Sequence, residues 1–553
     1  SYIGSGTITQ PDGTTVEMSQ TADPRFGWQI PYTNKIKTTL PSGKSVAIET
    51  QKTAELLEND IFKPSKLKTQ TTINGSRTVT KEIDVVNKTI KTKSPMGKEG
   101  ISYFNEKGQI VQSEIPGMLP VNYMYDNKGR VTKVSQGDRY TLMRYDFNTG
   151  YLTEVENVDG DIVKYFYDEV GQLVRTVLPN SEEINQSYDA NGNVTDIILP
   201  QTEENISRNH TYEYTAIDQV DYYDTPQTGG ISYRTDYDYN LDGQLTTVIE
   251  PTNNVINYNY DATSGVLQSI VHPHDTLTYS YNAESKNLER IQTANGDTLV
   301  YDYDGSLLKT EANTGTLGDY IEWKYNEFLM VNEIIAKGQS TLYGYNNDGE
   351  LTSAGISVYE RNTLNGRIEK ITIGETDEYY TYNNYGEIEK KEVKYQNNLI
   401  YSESYVYNNK GFITVKTVVD GSETNIYNYT YDNLGRLTEV IKNDATIESY
   451  SFDSNGNRIS EAFFTEYDNQ DRMTRYKDNV YEYTQRGSLS KKTTANGTTL
   501  YNYDVIGNLR GVTLEDGTVI DYVIDGRNRR IAKKVNGVVV QKFLYLNQLE
   551  PIA

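Results

Sequence analysis

The residues best suited to metal chemistry are few in this sequence. His272-Pro273-His274-Asp275 places two imidazoles and a carboxylate within four residues. A tetrahedral zinc site needs four ligands or an open fourth position. The only other histidine is His210, and the chain has 0 cysteines. We therefore interpret this stretch as a solvated loop and predict no metal site.

Short loops with alternating Asp and Asn, such as DNKG at 126–129 and DSNGN at 453–457, resemble calcium loops. They lack the distal bidentate Glu of such loops. The preference of tight turns for Asp, Asn and Gly is enough to explain their sequences. The 77 acidic residues make some carboxylate pair at glycosidase spacing inevitable, but no pair is singled out. No GxSxG, HExxH or P-loop pattern is present. We predict no catalytic residue and no cofactor.

The elements that carry these loops are hairpins, as residues 429–440 (YTYDNLGRLTEV) show. Tyr429 and Tyr431 are two residues apart and share one face of a strand. Asp432 can accept hydrogen bonds from the backbone amides just ahead of it, and Gly435 supplies a positive φ. The residues after Arg436 then begin a return strand.

This hairpin recurs through most of the chain at intervals of about 20–25 residues, shortening to about 15–16 near Tyr467 and Tyr483. A second turn with Asp-Gly or Asn-Gly lies between successive YD turns, as in ENVDGDIV (156–163) and LEDGTVID (514–521). The motif residues that define the repeat are Tyr125, Asp126, Gly129, Tyr167, Asp168, Gly171, Tyr188, Asp189, Gly192, Tyr260, Asp261, Tyr431, Asp432, Gly435, Arg436, Tyr503, Asp504 and Gly507.

Tandem hairpins predict an all-β fold with one long antiparallel sheet. Such a sheet must twist and curl, because long open sheets do not stay flat. Many positions that would be Val, Ile or Leu in a two-sheet sandwich are Tyr, Thr or Asn instead. We infer a curled, hollow object held laterally by hydrogen bonds and tyrosine ladders, with at least one wet face.

Three sections are expected. Residues 1–100 read as a variant β-strand opening, in which 53–62 (TAELLENDIF) is the only tract with helical character. Residues 101–510 hold the YD repeats, and 511–553 form a distinct closing section. The opening SYIGSG has neither a starting Met nor a signal peptide, so we expect a segment of something longer.

Composition narrows the function. The 553 residues carry a net charge of −24, which disfavours nucleic acid and anionic membranes as partners. No stretch approaches 18 apolar residues, so no membrane insertion is expected. The 49 tyrosines are a specific bias toward an aromatic ring with a polar tip.

The units at 125–130 and 431–438, together with the ending from Tyr501 onward, resemble the YD-repeat (Rhs-repeat) family. That family includes bacterial Rhs toxins, Tc toxin B and C components, wall-associated bacterial proteins and teneurins. The resemblance implies a spiral β-shell, with residues 511–553 as the truncated start of the Rhs-associated core. In Rhs and Tc proteins the shell encloses a C-terminal toxic polypeptide, which an aspartyl autoprotease releases. No DPxGL-type cleavage motif is found here.

The resemblance implies a non-enzymatic, secreted or extracellular encapsulating shell. Its partners would be an enclosed cargo polypeptide and the downstream core or plug, with a secretion apparatus or Tc-type subunits. The basic cluster Arg527, Arg529 and Arg530 would contact the shell wall or that core. The alternative interpretation, without a functional role, is an exposed strand that carries charged side chains. The alternative function is an adhesion or carbohydrate-binding module whose outward tyrosines stack on sugars or proteins.

Overall fold

The computed structural model describes residues 4–201, 208–460 and 463–552. Residues 1–3 of the predicted opening section and residue 553 of the closing section lie outside the described residues, as do 202–207 and 461–462. Within the described ranges the chain forms 51 β-strands and one 3₁₀ turn, and no α-helix. The predicted all-β class is confirmed.

The first 40 strands belong to one sheet. Their bounds are β1 Ser5–Thr9, β2 Thr15–Asp23, β3 Gly27–Thr39, β4 Ser45–Leu56, β5 Pro64–Ile73, β6 Arg77–Asp84, β7 Thr89–Lys93, β8 Glu99–Phe104, β9 Ile110–Glu114, β10 Val121–Tyr125, β11 Val131–Gln136, β12 Arg139–Tyr145, β13 Leu152–Asn157, β14 Ile162–Tyr167, β15 Leu173–Val177, β16 Glu183–Tyr188, β17 Val194–Ile198, β18 Asn209–Tyr214, β19 Val220–Asp224, β20 Arg234–Tyr239, β21 Leu245–Ile249, β22 Val255–Tyr260, β23 Leu267–His272, β24 Asp275–Tyr281, β25 Leu288–Gln292, β26 Thr298–Asp304, β27 Leu307–Asn313, β28 Asp319–Tyr325, β29 Val331–Ala336, β30 Gln339–Tyr345, β31 Leu351–Ala354, β32 Ser357–Arg361, β33 Ile368–Ile373, β34 Thr376–Tyr382, β35 Ile388–Tyr395, β36 Asn398–Tyr407, β37 Ile413–Asp420, β38 Glu423–Tyr431, β39 Leu437–Lys442 and β40 Ala445–Ser449.

Two smaller sheets follow, one of two strands and one of nine. Their bounds are β41 Ser451–Phe452 and β42 Arg458–Ile459, then β43 Thr465–Tyr467, β44 Met473–Tyr476, β45 Asn479–Tyr483, β46 Leu489–Thr494, β47 Gly497–Tyr503, β48 Leu509–Thr513, β49 Val519–Ile524, β50 Arg530–Val535 and β51 Val538–Lys542.

Within each sheet, strands that follow one another in the chain pair antiparallel, as the registers of β10 with β11 and β38 with β39 illustrate. This is the meander that tandem hairpins predict. Chain contacts divide the molecule into two compact units, each made of several chain segments. Unit 1 holds residues 1–162, 303–309 and 323–448, and unit 2 holds 163–302, 310–322 and 449–553. The three predicted sections describe repeat type and stay a prediction.

Unit 2 holds most of the fully buried apolar side chains of the described residues. Leu299, Ile321 and Ile531 are at most 2% exposed. Val248, Ile256 and Val505 form a further small cluster. In unit 1, the buried apolar side chains among the described residues are Leu40, Ile334 and Val440. Unit 1 therefore depends more heavily on backbone ladders and polar side chains than on a conventional core.

The helical character predicted for 53–62 is confined to three of these ten residues. β4 continues to Leu56 and stays paired with β5 to its end, with one register shift between Glu55 and Leu56, so that Leu56 pairs with Pro64. Only Leu57–Asn59 form a 3₁₀ turn, in which Glu58 has a φ of 54°. The ladder hydrogen bonds to β5 outweigh the helix propensity of the Ala-Glu-Leu-Leu run, because propensity is a weak prior beside tertiary pairing.

Candidate functional site: the YD turns and the seams

The YD turn is a closed hydrogen-bond unit, shown here at Asp126. The Asp126 carboxylate oxygen Oδ1 accepts the backbone N–H groups of Lys128 and Arg130, each at 2.9 Å. The backbone of Asp126 donates to the Arg130 carbonyl at 3.0 Å, and Gly129 donates to the Asp126 carbonyl at 3.1 Å. Gly129 has a φ of 87°, the left-handed region that this turn needs. The backbone N–H of Arg130 is the main cause that lowers the pKa of Asp126.

The same carboxylate geometry recurs at other predicted motif positions. Asp168, Asp189, Asp432 and Asp504 each accept the backbone N–H groups of the residues two and four positions ahead. The Arg436 side chain also donates Nε–H to Asp432 at 2.6 Å. The turn at Asp261 is one residue longer, since its backbone N–H donates to Val266. The glycines Gly171, Gly192, Gly435 and Gly507 all have positive φ.

The tyrosine of each motif is placed by a β-bulge. At Tyr125 the pairing with β11 skips one residue, and the same shift occurs at Tyr167, Tyr188, Tyr260, Tyr431 and Tyr503. Bulges re-aim a side chain. Here they send many phenols back to the previous hairpin. The phenol hydroxyls of Tyr145, Tyr188, Tyr260 and Tyr431 donate to the carbonyls of Val131, Leu173, Leu245 and Ile413 at 2.7–3.0 Å.

Successive YD turns are also linked to one another. The side chain that follows the turn glycine donates to the carbonyl of the glycine in the next YD turn. Gln109 donates Nε2–H to Gly129 at 3.1 Å, and Arg130 donates Nη1–H to Gly150 at 2.9 Å. Gln244 repeats the contact with Gly265 at 2.8 Å. These bonds connect neighbouring YD turns along one edge of the sheet.

In unit 1 this edge meets residues about 250 positions earlier, and we call this set of contacts the unit 1 seam. Arg139 binds Glu387 with both ends of its guanidinium, at 2.7 and 3.0 Å, across 248 residues. The Leu119 backbone N–H donates to the Asn384 carbonyl at 2.8 Å. On the earlier side lie the second, non-YD turns of the repeat, and on the later side lie the YD turns.

Further ion pairs of the unit 1 seam also join a second turn of the earlier segment to a YD turn of the later segment. The Lys98 ammonium lies 2.9 Å from the Asp348 carboxylate and also contacts Glu350. Lys410 contacts Asp161 and lies 3.2 Å from Asp159. Each later partner lies beside a YD-turn glycine. The cation belongs to the earlier segment in the pairs of Lys98 and Arg139, and to the later segment in the pairs of Lys410.

Unit 2 has a comparable seam. Arg208, which is 2% exposed, contacts Asp471 across 263 residues. The Asn469 side chain donates to the Gln227 carbonyl at 2.6 Å across 242 residues. Arg486 lies 2.9 Å from the buried Glu250 carboxylate.

The predicted basic cluster lies in the unit 2 seam. Arg527 donates Nη1–H to Glu311 at 2.9 Å across 216 residues, and Arg529 donates to the other oxygen of Glu311. Arg529 and Asp525 are 5% and 2% exposed, and their side chains bond at 2.9 Å. Arg530 differs, since its guanidinium lies 3.8 Å from the Tyr522 ring centroid. Arg527 and Arg529 therefore both contact the buried Glu311; the Arg529 side chain is itself buried, and the Arg527 side chain stays partly exposed.

The histidine stretch does not form a metal cluster. The His274 backbone N–H donates to His272 Nδ1 at 3.3 Å, and the two ring centroids are 6.3 Å apart. In the described part of the chain, no group of three or more His, Asp or Glu is arranged to hold a metal ion. His272 is 7% exposed, so it is not the solvated loop residue that we expected.

Apart from the basic cluster at 527–530, the sequence did not single out the residues of the seams. Their residues are ordinary turn positions, such as Glu350, Glu387 and Lys410, each one residue from a YD-turn glycine. The signal that could have found them is charge at those positions, matched to opposite charge in the second turns about 250 residues earlier. No short-range pattern carries that pairing.

The fold and its turns define a tandem-hairpin repeat protein of the YD class. The Teneurin YD-shell family model matches residues 4–553, and the chain belongs to that family. Among relatives, teneurin-1 of Gallus gallus is 24% identical over 492 residues, covering 82% of this chain. Teneurin-4 of Mus musculus is 25% identical over 465 residues, covering 78%.

Solved structures share the fold. The Tc holotoxin pore of Photorhabdus luminescens gives a TM-score of 0.53 at 12% identity, covering 96% of this chain and 32% of that one. The TcdB2-TccC3 crystal structure gives 0.52 at 11% identity, covering 96% and 33%. The chain spans 17% of teneurin-1 and 16% of teneurin-4. The described part of the chain holds no helix long and apolar enough to cross a membrane.

Proposed function

We propose that this chain is the wall of an encapsulating shell of the Rhs or Tc toxin type, secreted to the cell exterior. The wall encloses a cargo polypeptide and acts by exclusion rather than by catalysis. The fold shared with the Tc toxin structures supports this assignment. The downstream core or plug and Tc-type subunits are its expected partners.

The observation that carries the proposal is the unit 1 seam. A long β-sheet that only presented a binding surface would need no contacts between segments 248–254 residues apart. Here those segments bond through main chain and through charged side chains with less than about a third of their surface exposed. Such contacts close gaps between neighbouring stretches of the strip, which is what containment requires.

The test is small-angle X-ray scattering on the purified chain. A compact solid particle of 553 residues has a radius of gyration of about 24 Å. A shell should give a larger value, with a distance distribution that is shifted to wall-to-wall separations. A value of about 24 Å would contradict the proposal.

A second measurement tests protection itself. An unfolded, protease-sensitive peptide fused to the C-terminus should be cut more slowly than the free peptide. The charge reversal Lys410→Glu should speed its cleavage, because a carboxylate at this position would repel Asp159 and Asp161 across the seam. Lys442→Glu is the matched control, since no seam contact of Lys442 is observed among the described residues.

The alternative is a teneurin-like adhesion or carbohydrate-binding module. The family match and the teneurin relatives favour it. Saturable binding of the isolated chain to a glycan array, together with a cargo peptide left fully protease-sensitive, would support this alternative.

A further inference from the structure

A small cavity lies between the tip of the β2–β3 hairpin and the sheet formed by β4, β5 and β6. Its volume is about 210 Å³. The hairpin tip contributes Asp23, Pro24 and Arg25, and the strands contribute residues that include Lys52, Lys68 and Lys81. All of these residues belong to unit 1.

The lining is cationic in an acidic protein. On the cavity side, Arg25, Lys52 and Lys81 stand against one carboxylate, Asp23, so these side chains carry a formal charge of 3 − 1 = +2. Lys68 also borders the cavity, but its register partner Glu82 places it on the other face of the sheet. The Asp23 oxygen Oδ1 already accepts the backbone N–H groups of Arg25 at 2.9 Å and Phe26 at 3.3 Å. The whole chain carries −24. A local excess of positive charge therefore stands out against the rest of the protein.

The strand registers explain this excess. Lys52 pairs with Thr69 and Thr69 with Lys81, so these three residues share one sheet face. Their neighbours on that face, such as Leu67 and Ile83, are not acidic. Among the described residues, neither Lys52 nor Lys81 has a carboxylate within ion-pairing distance. The Lys52 ammonium instead lies 4.5 Å from the centroid of the Tyr32 ring.

The opposite face of the same strands is different. There Lys66 lies 3.9 Å from the Asp84 carboxylate, and Lys91 lies 2.6 Å from Glu99. Lysines are thus matched with acids on one face and left without them on the face that lines the cavity. Uncompensated cations around a concavity are the arrangement that recognises an anion.

We propose that this cavity is a binding site for a compact organic anion, in which a carboxylate, sulfate or phosphate group is carried on a scaffold with some nonpolar surface. Lys52, Lys81 and Arg25 hold the oxyanion. Leu67, Ile83 and Pro24 supply the nonpolar wall. The volume fits a single acidic sugar residue or an object of similar size. The site is independent of the proposed containment function.

The experiment is calorimetric titration of the whole chain with D-glucuronate, D-glucose 6-phosphate, inorganic sulfate and inorganic phosphate at low ionic strength. D-Glucose serves as the neutral probe. We expect saturable binding of at least one organic anion, with a dissociation constant of about 1 mM or lower. Weaker binding of the inorganic ions would show that the scaffold contributes, and added salt should weaken all binding.

The variant Lys52→Gln/Lys81→Gln should weaken that binding by about tenfold or more. The matched control is Lys66→Gln/Lys91→Gln, which removes the same charge from the opposite face. Because all four lysines are on the surface or partly exposed, both variants should fold, and circular dichroism checks this. Hydrogen exchange should show slower exchange at Arg25 and Phe26 when D-glucuronate is bound.

Three results would overturn the proposal. One is the absence of saturable binding by every anionic probe. Another is glucose binding as tightly as D-glucuronate. The third is equal weakening by the two double variants, which would assign the effect to overall charge. None of these results would bear on scattering or cargo protection, so this site and the containment proposal fail separately.

Discussion

Tyr431 donates its phenol hydroxyl to the carbonyl oxygen of Ile413 at 2.7 Å, 18 residues earlier in the chain. Ile413 is the first residue of β37, directly after the preceding YD turn, and Tyr431 is the last residue of β38. Because β37 pairs with β38, the bond ties the two open ends of this strand pair together, beside two successive YD turns. The same bond recurs along the sheet, and together these bonds supply part of the stability that a buried apolar core provides in other proteins.

Replacing Tyr431 with Phe should lower the free energy of unfolding by about 0.5–1.5 kcal/mol, because the ring stays packed and only the hydroxyl is lost. Urea denaturation followed by circular dichroism measures the change. Tyr427→Phe is the control on the same strand, since no hydroxyl bond of Tyr427 is observed among the described residues. Equal losses of unfolding free energy in the two variants would contradict a stabilising role for the Tyr431 hydrogen bond.

Gly435 illustrates why the turn glycine is needed. Its φ is 80°, and a Cβ atom there would lie 2.8 Å from Phe412 Cζ. Gly421 has a φ of 57° but open space around it. Gly435→Ala should therefore destabilise the protein more than Gly421→Ala, by about 1 kcal/mol or more beyond the shared backbone strain of about 1 kcal/mol. Comparison of the two melting temperatures tests this, and equal shifts would contradict it.

Local chemistry explains why so much of the fold could be predicted. Asp432 and Gly435 define their turn within four residues, so the sequence alone predicts the hairpin, its repeat and the all-β class. The partner of Arg139 could not be predicted, because Glu387 is 248 residues away and its position depends on the accumulated twist of every strand between them. The cavity at Lys52 and Lys81 was missed for a related reason, since it requires the register of three strands and the fold of a hairpin tip.

The Arg139–Glu387 pair should contribute measurably to stability. Its bidentate geometry and its partly buried side chains, 20% and 22% exposed, separate it from ordinary surface pairs. A double-mutant cycle with Arg139→Ala and Glu387→Ala should give a coupling of about 1–2 kcal/mol. The more exposed pair Arg144–Glu154 within neighbouring strands should give about 0.5 kcal/mol or less. Similar couplings for both pairs would show that the seam adds nothing beyond ordinary surface charge.

Glu403 should make stability depend on pH in the acid range. Burial alone would raise the pKa of Glu403, but Lys416, Tyr401 and Tyr405 bond to its carboxylate and lower the pKa to about 2. A lowered carboxyl pKa stabilises the folded state above the unfolded value of about 4.3, and that contribution is lost as pH falls toward about 2. The contribution of Glu403 to the change of the urea midpoint with pH, between about pH 4.3 and pH 2, should be absent in the Glu403→Gln variant. An unchanged slope would contradict the assignment.

His272 should also make the stability of the fold depend on pH, in a higher pH range than Glu403 does. It is buried, and burial is the largest cause that lowers its pKa, while Asp504 and Asp275 oppose the shift and His274 and Arg510 add to it. Because the unfolded chain then binds the proton more readily, the folded state loses stability as pH falls below about 6.5. The ring lies at the second turn between β23 and β24, in unit 2.

The measurement is the urea midpoint of the His272→Gln variant and of the wild-type chain between about pH 7 and pH 5. The wild type should lose stability across this range, and the variant should lose less, because Gln cannot accept the proton. His274→Gln, at the exposed neighbouring residue, is the control and should change the wild-type slope less than His272→Gln does, because burial is the larger cause of the His272 shift. If both variants keep that slope, the acid response does not come from His272.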